Sequence, residues 1–268
     1  MTYQALQIKE IDDVFTVTLH RPDRRNALNP ELMDELLSVL EDAGKRTSGI
    51  LSLTGSGEAF CAGLDIDSLR SSRSNSPAQH QKDAERIARL FRTLYDLPIP
   101  TIAAVNGPAI AGGAALATLC DFTLAAPEAK FGYTEVRIGF LPAVVASFLV
   151  RQVGEKQARD LLLTGRLFPA EEAKCLGLVH EIVGRTDLLP RAQELAQALL
   201  QNSPESLRAT KKLLSSMQMD HLDREMQYAI AASTAARATN DFDEGVAAFL
   251  EKRKPVWPSR KKNSAASC

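Results

Sequence analysis

Apolar and polar residues alternate from Val14 to Leu19 (VFTVTL), and the β-branched run stops at His20-Arg21-Pro22, which predicts a strand. The period then lengthens. Leu32, Met33, Leu36, Leu37 and Leu40 form one apolar stripe behind Asn29 and Pro30, a capping residue followed by a proline at the first helical position. Ile50 to Leu53 predicts a short buried strand closed by Thr54-Gly55-Ser56-Gly57. Residues 71–77 (SSRSNSP) are polar throughout and predict a mobile loop. A helix is predicted from Asp83 to Leu97, stopped by Pro98 and Pro100. Thr101 to Val105 follows as a strand and Asn106-Gly107-Pro108 as a turn. A small-residue helix opens at Gly112-Gly113 and runs through Leu119, and Phe122 to Ala125 is another strand. Strands and helices in this order through about Val183 define an α/β core.

Beyond Val183 the pattern is helical. Arg191 to Leu200 is amphipathic, Ser203-Pro204-Glu205 is an N-cap signature, and two more helices are predicted through Leu213 and Phe249. No internal repeat is visible. The organisation expected is a core over residues 1–200 and a helical C-terminal region over residues 201–268, whose polar tail from Ser259 to Cys268 is expected to be disordered.

Composition narrows the classes. The chain has 268 residues, 45% hydrophobic and 24% charged, ample for a sizeable core. With 32 basic and 33 acidic residues it lacks the basic excess of a nucleic-acid or membrane-surface protein. No apolar run reaches the roughly 18 residues of a membrane span, and Met1-Thr2-Tyr3-Gln4 lacks the charged-then-apolar pattern of a signal peptide, so none is expected. Cys61, Cys120, Cys175 and Cys268 lie far apart with no CxxC, so neither disulfides nor a structural metal is expected, and a reducing cytoplasm is.

Two segments carry candidate chemistry. In Asn106-Gly107-Pro108-Ala109-Ile110-Ala111-Gly112-Gly113-Ala114, adjacent glycines at a helix start either permit tight packing on a sheet or expose backbone N–H groups at the positive end of the helix dipole. Ala59-Phe60-Cys61-Ala62-Gly63-Leu64-Asp65-Ile66 is a second turn of that kind, either a packed turn capped by Asp65 or the source of a second N–H.

Together, in this order, they resemble the enoyl-CoA hydratase/isomerase (crotonase) family. The resemblance extends over nearly the whole chain through Arg24-Arg25-Asn26-Ala27-Leu28, Cys120-Asp121, Phe131-Gly132-Tyr133-Thr134-Glu135, Ile138-Gly139, Leu163-Thr164-Gly165-Arg166, Ala173-Lys174, Leu176-Gly177-Leu178-Val179 and Phe249-Leu250-Glu251-Lys252-Arg253. It implies an α/β fold with a crotonase-like (ClpP/crotonase) spiral core of repeated ββα units and a helical C-terminal extension used for trimerisation. It implies a homo-trimer or a dimer of trimers, with C-terminal helices packing over neighbours. The substrate implied is an acyl-coenzyme A thioester, with coenzyme A entering as part of the substrate and no permanently bound cofactor. The backbone N–H groups of Leu64 and Gly112 correspond to the family's oxyanion hole. Arg24, Arg25, Ala27 and Leu28 match the segment against the nucleotide end of coenzyme A, where Arg24 or Arg25 meets a phosphate or the segment is a solvated turn, and Ala62, Asp65 and Ile66 match its adenine side. Lys252 matches a position near the nucleotide, or is surface charge.

The resemblance also bears on the reaction. Hydratases of the family carry two glutamates, one for the water and one for the proton at the α-carbon. The first position is Ala115 here, and the second is Glu135. One carboxylate beside an oxyanion hole suffices to move a double bond, so isomerisation of an enoyl-CoA is expected; hydration with Tyr133 placing the water, decarboxylation, and a non-catalytic CoA-binding role are the alternatives. RNA binding is not expected, because residues 30–43 hold five acidic residues and no lysine. Ile138, Phe140 and Leu141 are candidate apolar walls able to raise the pKa of Glu135.

Overall fold

The computed structural model of the chain describes residues 3–217 and 219–261. Strands β1 (Leu6–Ile11) and β2 (Val14–Leu19) form a hairpin, and helix α1 (Pro30–Gly44) starts where Asn29 accepts a hydrogen bond from Leu32 N–H. Then come β3 (Ile50–Gly55), α2 (Ile66–Ser72), α3 (Pro77–Tyr95), β4 (Thr101–Val105), β5 (Ala109–Ile110), α4 (Gly112–Leu119), β6 (Phe122–Ala125) and β7 (Lys130–Gly132). After a 3-10 turn at Glu135–Ile138 follow α5 (Ala143–Thr164), β8 (Leu167–Pro169), α6 (Ala170–Cys175) and β9 (Glu181–Ile182). Helices α7 (Leu188–Leu200), α8 (Pro204–Ser216), α9 (Met219–Arg237) and α10 (Asn240–Leu250) complete the order, with a last helical turn at Pro258–Lys261.

The strands form a six-stranded sheet, β1-β2-β3-β4-β6-β9, parallel except for the first hairpin, and a three-stranded sheet, β5-β7-β8. Strands β3 and β4 are buried along their whole length because both faces are covered. On one face Leu51, Leu53, Ala103 and Val105 join the main core with α1, α3 and α4. On the other, Val14, Ile50, Ile102, Ala104 and Leu124 meet Leu188, Ala192 and Ala196 of α7. The same motion repeats along the chain: a large-sheet strand, a short extended piece in a smaller layer, then a helix. It runs β3, Cys61, α2; then β4, β5, α4; then β6, β7 and the 3-10 turn, with Cys61 bridged in parallel to Ala109 and β5 in parallel to β7. These are the expected ββα units.

Several expectations are corrected. Residues 71–77 are not one loop: α2 runs to Ser72, and α3 starts at Pro77, six residues earlier than Asp83, because Ser76 caps it by accepting from Gln79 N–H at 3.3 Å. Strand β1 escaped notice because all but its first residue are exposed, as suits a sheet edge. Strands β5, β7 and β8, of two or three residues, are too short to show a period. Helix α5 is interrupted at Gly154 (φ 75°, ψ 160°), which breaks its apolar stripe in two. Three helices, not two, follow Ser203, and α9 packs on α3 and α5 of its own chain. Of the expected disordered tail, Ser259 lies in the last helical turn with its hydroxyl on Asp241 at 2.6 Å, and residues 262–268 lie outside the described residues.

Candidate active site

The segment from Arg24 to Leu28 is held by residues just before and within it. Asn26, fully buried with φ 54°, accepts from Arg21 N–H at 2.9 Å and donates to the carbonyls of Ser56 (2.9 Å) and Ala59 (2.8 Å). Leu28 N–H then donates to Gly63 O (2.7 Å), and Asp65 N–H donates to Leu28 O (2.9 Å), so the two loops run side by side as a short parallel ladder. That ladder turns Leu64 N–H to the opposite side. Asp65 is buried; it caps α2 by accepting from Asp67 N–H and pairs with Arg21 at 3.0 Å.

The second turn interlocks with the first. Phe60 and Cys61 N–H both donate to Pro108 O at 3.1 Å, and Ile110 N–H donates to Cys61 O at 2.9 Å. A Cβ at Gly63 (φ 85°) would lie 2.9 Å from Ile110 O, and one at Gly113 would lie 2.2 Å from Cys61 O, so neither site has room for a side chain. Between them Ala111 adopts φ 52°, ψ −118°, a conformation that costs an alanine on the order of 1–3 kcal/mol. It is held there by its N–H to Gly132 O (2.7 Å) and by Ala115 N–H to its own carbonyl (3.1 Å). This kink aims the free amide at the start of α4 outward. Among the described residues neither Leu64 N–H nor Gly112 N–H has an acceptor, and both residues line one cavity.

That cavity has a volume of about 130 Å³ and is mostly apolar, walled by Phe91, Ile138, Phe140, Leu141, Val144 and Phe249 among others. Glu135 enters it from the 3-10 turn. The residue is 8% exposed, and among the described residues its Oε2 has no hydrogen-bond partner. Burial pushes its pKa from 4.5 up to about 7, opposed only by its own backbone. The titratable residues lining the cavity are Glu135 and Arg237. Ala115 is buried behind the lining, and Tyr133 is packed in the core with its hydroxyl 3.3 Å from that of Thr118.

Of the sequence-derived candidates, Leu28, Ala62, Leu64, Gly112 and Glu135 therefore meet at one cavity. The others lie outside its lining. Ala27 is buried, Arg24 is exposed and pairs with Asp67 at 3.4 Å, and exposed Arg25 accepts from Ala62 N–H at 3.0 Å. Ile66 is 44% exposed, and Lys252 is exposed with φ 54°, three residues beyond Phe249. Sequence reasoning missed Ala111, whose strain no composition signals, and Arg237. The signal for Arg237 was an arginine closing an otherwise small-residue helix, Ala229 to Ala238.

A fold of ββα units in which two turns and a buried carboxyl line one cavity defines an enzyme of the crotonase class. The family model for enoyl-CoA hydratase/isomerase matches residues 9–260, and the chain belongs to that family. A Thermus thermophilus relative, provisionally named an enoyl-CoA hydratase, is 46% identical over 90% of this chain and 96% of its own. A Mycobacterium bovis relative with a similar provisional name is 37% identical over 97% and 100%. The crystal structure of an enoyl-CoA hydratase/isomerase from Pseudoalteromonas atlantica superposes with a TM-score of 0.84 at 30% identity, covering 95% of this chain and all of that one, 100%. The protein is thus an enzyme acting on acyl-CoA. Among the described residues no helix is long and apolar enough to cross a membrane.

Proposed function

We propose that this enzyme shifts the double bond of an enoyl-CoA, with Glu135 as the single acid–base group and the N–H groups of Leu64 and Gly112 as the oxyanion hole. The observation that carries the reading is a buried carboxyl, raised to about 7 and the one carboxyl lining the cavity among the described residues, where two amides without an acceptor among those residues also open. Glu135 takes a proton from C2 of a 3-enoyl thioester, and the electron pair moves onto the thioester oxygen between the two amides. The enolate collapses as Glu135 returns the proton at C4, leaving a 2-enoyl thioester of the same mass. A pKa near neutrality lets one group both remove and deliver that proton. Each amide donor supports the developing oxyanion, and loss of one typically costs a hundred-fold or more in rate. Leu28 and Ala62 lie beside the thioester end, and Arg24, Arg25, Ala27, Asp65, Ile66 and Lys252 remain the candidates for the coenzyme A nucleotide. The C-terminal helices are proposed to support a trimer or a pair of trimers.

Hydration is the second reading, favoured by the names of the relatives. It requires a group that places water on C3, and no second carboxylate lines the cavity among the described residues. Offering a 3-enoyl-CoA and a 2-enoyl-CoA separately, and following the products by mass and by the ultraviolet absorbance of the conjugated 2-enoyl thioester, decides between them. A 2-enoyl product of unchanged mass from the first supports isomerisation. Gain of the mass of water from the second, with no shift of the first, replaces it by hydration.

A further inference from the structure

Arg237 closes α9 and lines the cavity together with the two turns. Its side chain is 4% exposed, yet Nε and Nη2 have no hydrogen-bond partner among the described residues. The nearest carboxylate, Asp83, stands 4.0 Å away and is already engaged by the amides of Asn75 (3.2 Å) and Gln79 (3.1 Å). The guanidinium lies over the Phe140 ring at 4.8 Å, with His80 as a further neighbour that also feels the carboxylates of Asp83 and Asp243, the latter 3.8 Å from Arg73. Arginine keeps its charge under burial, and a buried guanidinium held only by an ion pair at 4.0 Å, with Nε and Nη2 unsatisfied among the described residues, gains from a further acceptor. Glu135 lines the same cavity, and among the described residues no ion pair joins it to Arg237. Ser233, one helical turn before Arg237 on the same face, is buried and lines the same wall.

We propose that Arg237 and the Ser233 hydroxyl hold a carboxylate at the far end of the acyl group, making the substrate a short ω-carboxyacyl-CoA, an assignment that rests on the acyl-site reading given above. Guanidinium and hydroxyl donors match a carboxylate's two oxygens. The cavity volume of about 130 Å³ sets the length; an apolar cavity of roughly 150 Å³ takes a benzene ring, so about six carbons fill this one.

The experiment is calorimetric titration of the full-length protein with three unreactive probes: a saturated six-carbon ω-carboxyacyl-CoA, the methyl-terminated acyl-CoA of equal length, and free coenzyme A. The wild type is expected to bind the carboxylated probe at least tenfold more tightly than the methyl-terminated one. Arg237→Met should lose that probe by roughly 10²-fold while binding the methyl-terminated probe as well or better. Ser233→Ala should show a smaller loss in the same direction. Equal binding of the two acyl probes by the wild type overturns the proposal, and that comparison needs no variant to fold. Equal weakening of both acyl probes by Arg237→Met assigns the residue to structure, and weakened binding of free coenzyme A assigns it to a nucleotide phosphate; either result overturns it. Saturated probes undergo no proton transfer, so these outcomes are independent of Glu135. Turnover retained by Glu135→Gln defeats the base assignment alone.

Discussion

Replacing Glu135 by glutamine should stabilise the protein while stopping turnover, and the stabilisation should appear only as the pH rises. The carboxyl is buried, and its pKa rises from 4.5 to about 7 because burial penalises the charged form. Below pH 4.5 the group is protonated in both the folded and the unfolded chain, and glutamine is an even exchange. Between pH 4.5 and 7 the unfolded chain gives up the proton that the folded chain retains, so wild-type stability falls with rising pH. Above about 7 the loss is complete. The difference between the two pKa values is worth about 3 kcal/mol. Glutamine cannot ionise and keeps that stability. For a domain of this size about 2–4 °C accompanies each kcal/mol, so the variant should melt roughly 6–12 °C above wild type at pH 8 and at nearly the same temperature at pH 4.5. Melting curves of both proteins across pH 4.5 to 8.5 test this, and kcat/KM of the wild type should climb over the same range with an apparent pKa about 7. A melting difference that does not change with pH would refute the claim that a neutral acid is buried here.

Three further outcomes are expected. Gly63→Ala drives a Cβ to within 2.9 Å of Ile110 O at φ 85°, displacing the Leu64 amide; kcat should fall about 10²-fold with a smaller change in KM, measured by steady-state assay. Asp121→Ala leaves the fully buried Thr101 N–H and hydroxyl without their 2.7 Å and 2.9 Å acceptor and removes the partner of Lys211; stability in urea should drop by about 2 kcal/mol with kcat unchanged. Burial pushes the thiols of Cys61 and Cys120 up to about 12, whereas Cys175 is exposed. In a Cys268→Ser background an aromatic disulfide reagent should therefore label one thiol per chain under native conditions, and fast labelling of three would contradict the packing.

What was legible in the sequence follows from the range over which each signal acts. The apolar stripe of α1 and the buried runs of β3 and β4 are local patterns, and the structure keeps them. The polar stretch before α3 hid a cap because serine and proline there read equally well as loop; only the hydrogen bond to Gln79 N–H distinguishes them. Glu135, Leu64 and Gly112 were reached through resemblance, and no spacing rule would bring residues 64, 112 and 135 to one cavity. Arg237 and Phe249 were invisible as lining residues, since their place depends on how α9 and α10 fold back over α2, α3 and α5. Cys120-Asp121, a motif of the resemblance, proves to be a staple between the starts of β4 and β6 and the side chain of Lys211 on α8.

The cavity draws its lining from Leu28 through Phe249. Synthesis from the N-terminus delivers the sheet and both turns long before the two helices that roof them. During that interval the nascent chain carries those turns and the carboxyl open to water, where the carboxyl ionises at the ordinary pH. Competence thus arrives late and all at once, when the last helices dock, and a ribosome-held chain short of residue 249 should be folded in its sheet yet inert toward thioesters.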